Sequence, residues 1–168
     1  SRCGKHCKPI RRPCVDDISF CSGAVLPVTI DGQDCFRHYR APGRVLSRLP
    51  YASRPVHPRH AASELEARAL CEIYSTSGCP IIHEYALLLH KSAVLASGPS
   101  IRTDRDVQRR LDLEKSVPLM PGVLMRTRER FAALYGVDPN TQCRVESFLA
   151  SKDPWDPIRH PVLEYLAN

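Results

Sequence analysis

At 168 residues the chain has room for one domain, or for one domain with an appended arm. A domain of this size buries roughly 70% of the surface its unfolded chain exposes, so it does not need cross-links merely to fold. The net charge of +6 comes mostly from arginine, nineteen against five lysines, and suits contact with RNA, an anionic lipid surface or an acidic protein; no stretch approaches the roughly 18 consecutive apolar residues of a membrane span.

Residues 1–22 have no hydrophobic period and read as an irregular, Cys-rich N-terminal arm. The run Ala24-Val25-Leu26-Pro27-Val28-Thr29-Ile30, closed by Asp31-Gly32, predicts a short β-strand and a turn. Pro27 confines that strand to an edge or a bulge, because proline cannot donate to a ladder. Residues 37–60 carry Pro42, Pro50, Pro55 and Pro58 among arginines and histidines and predict an extended connector. The chain thus divides into an extended Cys- and Pro-rich arm, residues 1–60, and a helical domain, residues 61–168.

Ser63 with Glu66 forms a capping-box pattern, and Leu65, Ala69 and Ile73 make an apolar stripe, so a first helix is expected to about Tyr74, closed by Gly78. Pro80 then opens the most apolar helix, to about Ala96, with Ile81, Ile82, Tyr85, Leu88, Leu89 and Leu95. Thr103 and Asp106 mark a third helix with Val107 and Leu111 inside. A fourth places Leu124, Phe131 and Leu134 on one face and stops at Gly136. Asp138-Pro139 opens a fifth, with Val145, Phe148 and Leu149 inside; a short terminal helix follows from Pro161 to Leu166. Between these two, Trp155 is expected to anchor the C-terminal segment by packing. The fold class is mainly α: a helical hairpin or irregular bundle of about five helices behind the Cys-rich arm, with one short strand.

Five of the eight cysteines lie in the first 35 residues. The first reading is disulfides among Cys3, Cys7, Cys14, Cys21, Cys35, Cys71 and Cys79, since eight cysteines allow four bridges. Cys71 and Cys79 straddle the turn between the first two helices, where a bridge would clamp a helical hairpin. The second reading is zinc. Cys3 and Cys7 have the close spacing of a tetrahedral site with His6 between them, and Cys14 and Cys21, or Cys35 and His38, would complete it. The Cys71–Cys79 pair resembles the paired cysteines of coiled-coil-helix-coiled-coil-helix proteins of the mitochondrial intermembrane space. It has Cys-x₇-Cys where that family has Cys-x₉-Cys, and no second pair. Leu70-Cys71-Glu72-Ile73-Tyr74 to Cys79-Pro80, with Cys7-Lys8-Pro9-Ile10, resembles a frizzled-type cysteine-rich domain, whose later cysteines are missing here.

His83-Glu84 begins a zinc-protease pattern, but the second histidine would be residue 87, which is Leu87; His90 lies two turns from His83. In the connector, His57, His60, Arg54 and Arg59, with His38 and Arg40, form a set suited to phosphate contacts, and Phe36, Tyr39 and Tyr51 supply a thin aromatic platform. No phosphate loop, nucleophile elbow or Cys-x-x-Cys redox pair occurs.

These features predict a non-catalytic accessory subunit of a larger assembly, stabilised by disulfides and without a cofactor. The start at Ser1, taken as processed, with the basic charge and the cysteines, points to a respiratory-chain or ATP-synthase complex on the intermembrane-space side of mitochondria. Its partners would be other protein subunits and anionic lipid headgroups, ahead of nucleic acid. The alternatives are a secreted disulfide-rich binding module and a zinc-containing RNA-binding or ribosomal protein.

Overall fold

Asp31-Gly32 makes the expected turn, but it joins two strands. The computed structural model describes residues 19–20, 22–52, 55–97 and 118–168, with short pieces between 108 and 116. β2 (Gly23–Ile30) pairs antiparallel with β3 (Gln33–Arg40), from Ile30↔Gln33 at the turn to Gly23↔Arg40 at the open end. Asp31 and Gly32 sit at φ 51° and 77°, the doubly left-handed geometry that matches strand twist in a two-residue hairpin. A two-residue β1 (Ser19–Phe20) pairs with the start of β2, giving the sheet order β1-β2-β3.

The connector expected over residues 37–60 is corrected at both of its first two parts. Residues 37–40 belong to β3, and Pro42 starts a helix, α1 (Pro42–Arg48). A proline at the first helical position loses no hydrogen bond and has φ already set. Residues 49–52 and 55–57 are irregular, and a 3₁₀ turn, Pro58–His60, leads into α2 (Ala61–Thr76). That helix begins two residues before Ser63, so Ser63 and Glu66 are not its cap; both are buried in its first two turns. Gly78 ends the segment at φ 82°, and a side chain there would come within 2.8 Å of Met120 Cγ.

α3 (Ile82–Ser97) folds back on α2 as a helical hairpin. α4 (Met125–Tyr135) ends at a left-handed Gly136, as expected. α5 (Pro139–Ser151) is capped by Asp138, whose carboxylate accepts from the Thr141 N–H at 3.0 Å. α6 (Pro161–Ala167) packs on α1, where a side chain in place of Gly43 would lie 2.7 Å from the Leu166 carbonyl oxygen. The fold is mainly helical with a small antiparallel sheet. Among the described residues no helix is long and apolar enough to cross a membrane.

One core joins these pieces. Leu26, Val28, Tyr39, Val45 and Leu46 from the hairpin and α1 share it with Ile73, Ile82, Phe131, Val145, Leu149 and Leu163. Several expected core members are outside it: Leu95 is 57% exposed, Leu124 is exposed as well, and Trp155, expected to be an anchor, is 65% exposed. The Pro154 carbonyl is instead what ties that loop down, accepting from Ser92 Oγ at 2.7 Å. Thr103, Asp106, Val107 and Leu111 lie outside the described residues.

Pro27 occupies the position its chemistry requires. Its carbonyl accepts from Thr127 Oγ1 on α4, so its donor-less nitrogen faces the same way, off the ladder with β3. Arg126 accompanies Thr127, donating to the Val28 carbonyl at 3.0 Å, to Thr29 Oγ1 at 2.7 Å and to the Asp34 carboxylate. Side chains of α4 thus cover the outer edge of β2.

The start of α3 is held by charge. Ile81 is fully buried at φ 64°, a region that β-branched residues avoid. Its N–H donates to Glu146 Oε1 on α5 at 2.9 Å, and Arg128 on α4 grips the same carboxylate at 2.8 and 2.7 Å. Charge-assisted bonds of this kind contribute roughly 1.5–3 kcal/mol each when sheltered from water. We predict that Glu146→Ala lowers the unfolding free energy by about 3 kcal/mol, read from the urea midpoint. Asp34→Ala, which breaks the exposed pair with Arg126, should leave the midpoint within error.

Candidate functional site

α1 is short and two-faced. Val45, Leu46 and the following Leu49 turn into the core, which leaves Arg44 and Arg48 outward, one helical turn apart. β3 delivers Arg40 just before this helix, and α2 lays Arg68 and Glu72 beside it. Between α1 and α2 these residues line a cavity of about 440 Å³, with Tyr51 in the irregular segment at its edge. Four arginines and a single carboxylate therefore meet in one concave surface.

The four arginines are not equivalent. Arg68 is structural: its Nη2 donates to the carbonyls of Arg48 at 2.9 Å and of Leu49 and Tyr51 at 2.5 Å each. It satisfies the C-terminal carbonyls of α1 and fixes the backbone that carries Tyr51. Arg40 is paired, Nη1 to Glu72 Oε2 at 3.3 Å; that carboxylate is 3% exposed and the arginine 39%. Arg44 and Arg48 make no ion pair among the described residues, and like charges one turn apart disfavour a helix by a few tenths of a kcal/mol. Tyr51 is 72% exposed, an aromatic ring standing in solvent beside two guanidinium groups. Among the described residues four guanidinium groups and one carboxylate line this surface, a local excess of positive charge that favours anions over cations.

Of the expected phosphate-contact set, only Arg40 lines this cavity. His57, Arg59 and His60 bond to one another in the 3₁₀ turn: His57 Nδ1 accepts from the Arg59 N–H at 3.3 Å, and Arg59 Nε donates to His60 Nε2 at 3.1 Å. His38 packs over Gly23, where a side chain would lie 2.6 Å from its Nε2. Arg54 lies outside the described residues. The expectation of an extended connector over residues 37–60 hides Arg44 and Arg48; a helical reading from Pro42 places both on one face, while Arg68 sits on the expected first helix and no local pattern singles it out.

Cys3, His6, Cys7, Cys14 and Cys21 lie outside the described residues. Cys35, Cys71, Cys79 and Cys143 form no disulfide with one another. The clamp expected between Cys71 and Cys79 is corrected. α2 continues five residues past Cys71 to Thr76, about 7–8 Å of rise, and a disulfide needs Cα atoms within about 7 Å. Burial, then the nearby charges of Glu146 and Glu72, push the Cys79 thiol up and keep it protonated. Among the described residues no three His, Cys, Asp or Glu side chains come together as a metal site. His83 is half-buried on α3 and Leu87 stands one turn on, where a zinc protease would present its second ligand. A larger cavity, about 620 Å³, lies between the hairpin turn and residues 118–124, with apolar walls from Val28, Ile30, Leu119, Met120, Val123 and Leu124.

Brief alkylation of the native chain followed by peptide mapping should find Cys143 modified and Cys71 and Cys79 protected until the chain unfolds. His83 should make stability depend on pH. Burial holds its imidazole below the ordinary value of 6.5, helped by the charge of Arg37 and opposed by a bond to the Ile73 backbone and by Glu146. The unfolded chain then binds a proton that the folded chain resists, so the contribution is fully present above pH 6.5 and declines as pH falls below it. The melting temperature should drop between pH 7 and pH 5.5, and less steeply in His83→Gln.

Comparison with protein-family models, with curated proteins and with solved structures finds no match to this chain, the coiled-coil-helix and frizzled-type families included.

Proposed function

We propose that this chain is a non-catalytic accessory subunit of a larger assembly, which it meets at an anionic surface through the cavity between α1 and α2. The observation that carries the reading is the convergence of Arg40, Arg44, Arg48 and Arg68 on one concave surface with a single glutamate. Arg44 and Arg48 stand one turn apart with no ion pair of their own among the described residues, since Glu72 pairs with Arg40, an arrangement that adds nothing to stability. Guanidinium groups favour partners with planar or tetrahedral oxyanions, which they hold by two parallel bonds.

Apolar surface supports the same reading. Leu87, Val94 and Leu95 on α3, and Trp155 in the loop tied to α3 through Ser92, all stand in solvent. Large exposed side chains of this type are what subunit interfaces bury, with aromatic residues prominent among them. A chain with one charged and one apolar contact surface is suited to sit between components.

In a gentle, low-salt extract of the cells that make it, the chain should fractionate well above its own 18.9 kDa. The paired reversal Arg44→Glu with Arg48→Glu should release it to monomer size while leaving its circular dichroism spectrum unchanged. Wild-type chain at monomer size, or a charge-reversed chain retained as well as wild type, would overturn the proposal.

A further inference from the structure

We infer that the anionic ligand of the α1–α2 cavity is single-stranded nucleic acid, with phosphates on Arg44 and Arg48 and a base stacked on Tyr51. This rests on the reading of the cavity as an anion-binding surface and names its partner. Three features of the cavity select the ligand. Arg44 and Arg48 project one turn apart from the same face, which suits successive negative groups along a strand rather than one isolated ion. Tyr51 is the one aromatic residue in the lining, and its ring is mostly in water. A π-face held beside guanidinium groups is the combination that binds unpaired bases without reading their sequence. The backbone under Tyr51 is fixed by Arg68, so the ring is presented on a rigid support rather than on a free loop.

Other anionic partners use less of what is present. An acidic peptide would engage the arginines and leave the ring without a role. A lipid surface needs large apolar side chains to enter it, and those of the lining, Val45 and Leu49, are buried in the core, leaving only the small Ala52 exposed. A duplex would have to bring its groove to a concave site, where its bases remain stacked and out of reach of Tyr51.

The experiment is fluorescence anisotropy of the purified full chain with a labelled twelve-nucleotide single-stranded RNA, titrated at several salt concentrations. A blunt duplex of the same length, polyglutamate and vesicles rich in anionic lipid serve as competitors. Single-stranded RNA should bind, and the duplex should compete poorly. Tyr51→Ala should weaken binding about 5- to 150-fold, the range for losing one base stack, while Tyr51→Phe retains it. Arg44→Gln with Arg48→Gln should reduce the slope of log affinity against log salt by about 1.4, two phosphate contacts at about 0.7 each. Tyr51, Arg44 and Arg48 are exposed, so unchanged melting temperatures should confirm that these variants fold. Unchanged affinity in Tyr51→Ala overturns the inference. So does polyglutamate or the vesicles displacing the strand as well as unlabelled RNA does. If RNA fails to bind while charge reversal still releases the chain from its assembly, this inference falls and the accessory-subunit reading stands; if neither occurs, both fall.

Discussion

The carboxylate of Glu146 is the point on which the helical part of the molecule depends. It accepts from the backbone N–H of Ile81 and from both terminal nitrogens of Arg128, so three helices meet at one charged group. The reason lies at the start of α3. To fold back tightly against α2 the chain turns through Gly78 and then through a buried, left-handed Ile81, which points a backbone donor away from its own helix. A buried donor without an acceptor is strongly unfavourable, and here a side chain from another helix provides the acceptor. The ion pair with Arg128 then keeps that acceptor in place.

The arginine cavity depends on a second set of constraints, at the other end of the sheet. α1 is too short to be stable by itself, and nothing in its sequence caps its beginning with a side chain. It is held from three sides. Leu46 and Val45 lie in the core, α6 presses against the bare backbone at Gly43, and Arg68 gathers the carbonyls at its end. Each hold leaves the outward face unencumbered. Arg44 and Arg48 therefore stand on a helix whose position is decided by contacts they do not make.

Local signals were legible in the sequence, and tertiary ones were not. Gly78, Gly136, Asp138 and Pro161 each mark a helix boundary by backbone chemistry that needs no partner, and the structure uses all four near where they were expected. β3 went unread because its inward residues are Cys35, Arg37 and Tyr39, so the alternation that identifies a strand is nearly absent from its hydrophobicity. Arg37 can face inward because its guanidinium reaches the Tyr74 and Ser77 carbonyls at the end of α2, which no local pattern reveals. Pro42 was read as a breaker when it was a starter, and that one choice hid both α1 and the Arg44–Arg48 face. Trp155 looked like an anchor by size alone; its loop is secured through a backbone carbonyl, and the ring is left outside.

The covered edge of β2 has a consequence for how this molecule can associate. A bare strand edge invites another strand, from a copy or from a stranger, by main-chain bonding that needs little sequence match. Pro27 removes one donor from that edge, and Thr127 occupies the Pro27 carbonyl. β3 carries Asp34, Arg37, His38 and Arg40, charges and imidazole that a zipper of stacked strands would have to desolvate. Extension of the sheet along this edge of β2 is thus disfavoured. A second strand approaching there meets the side chains of α4 before it meets main chain.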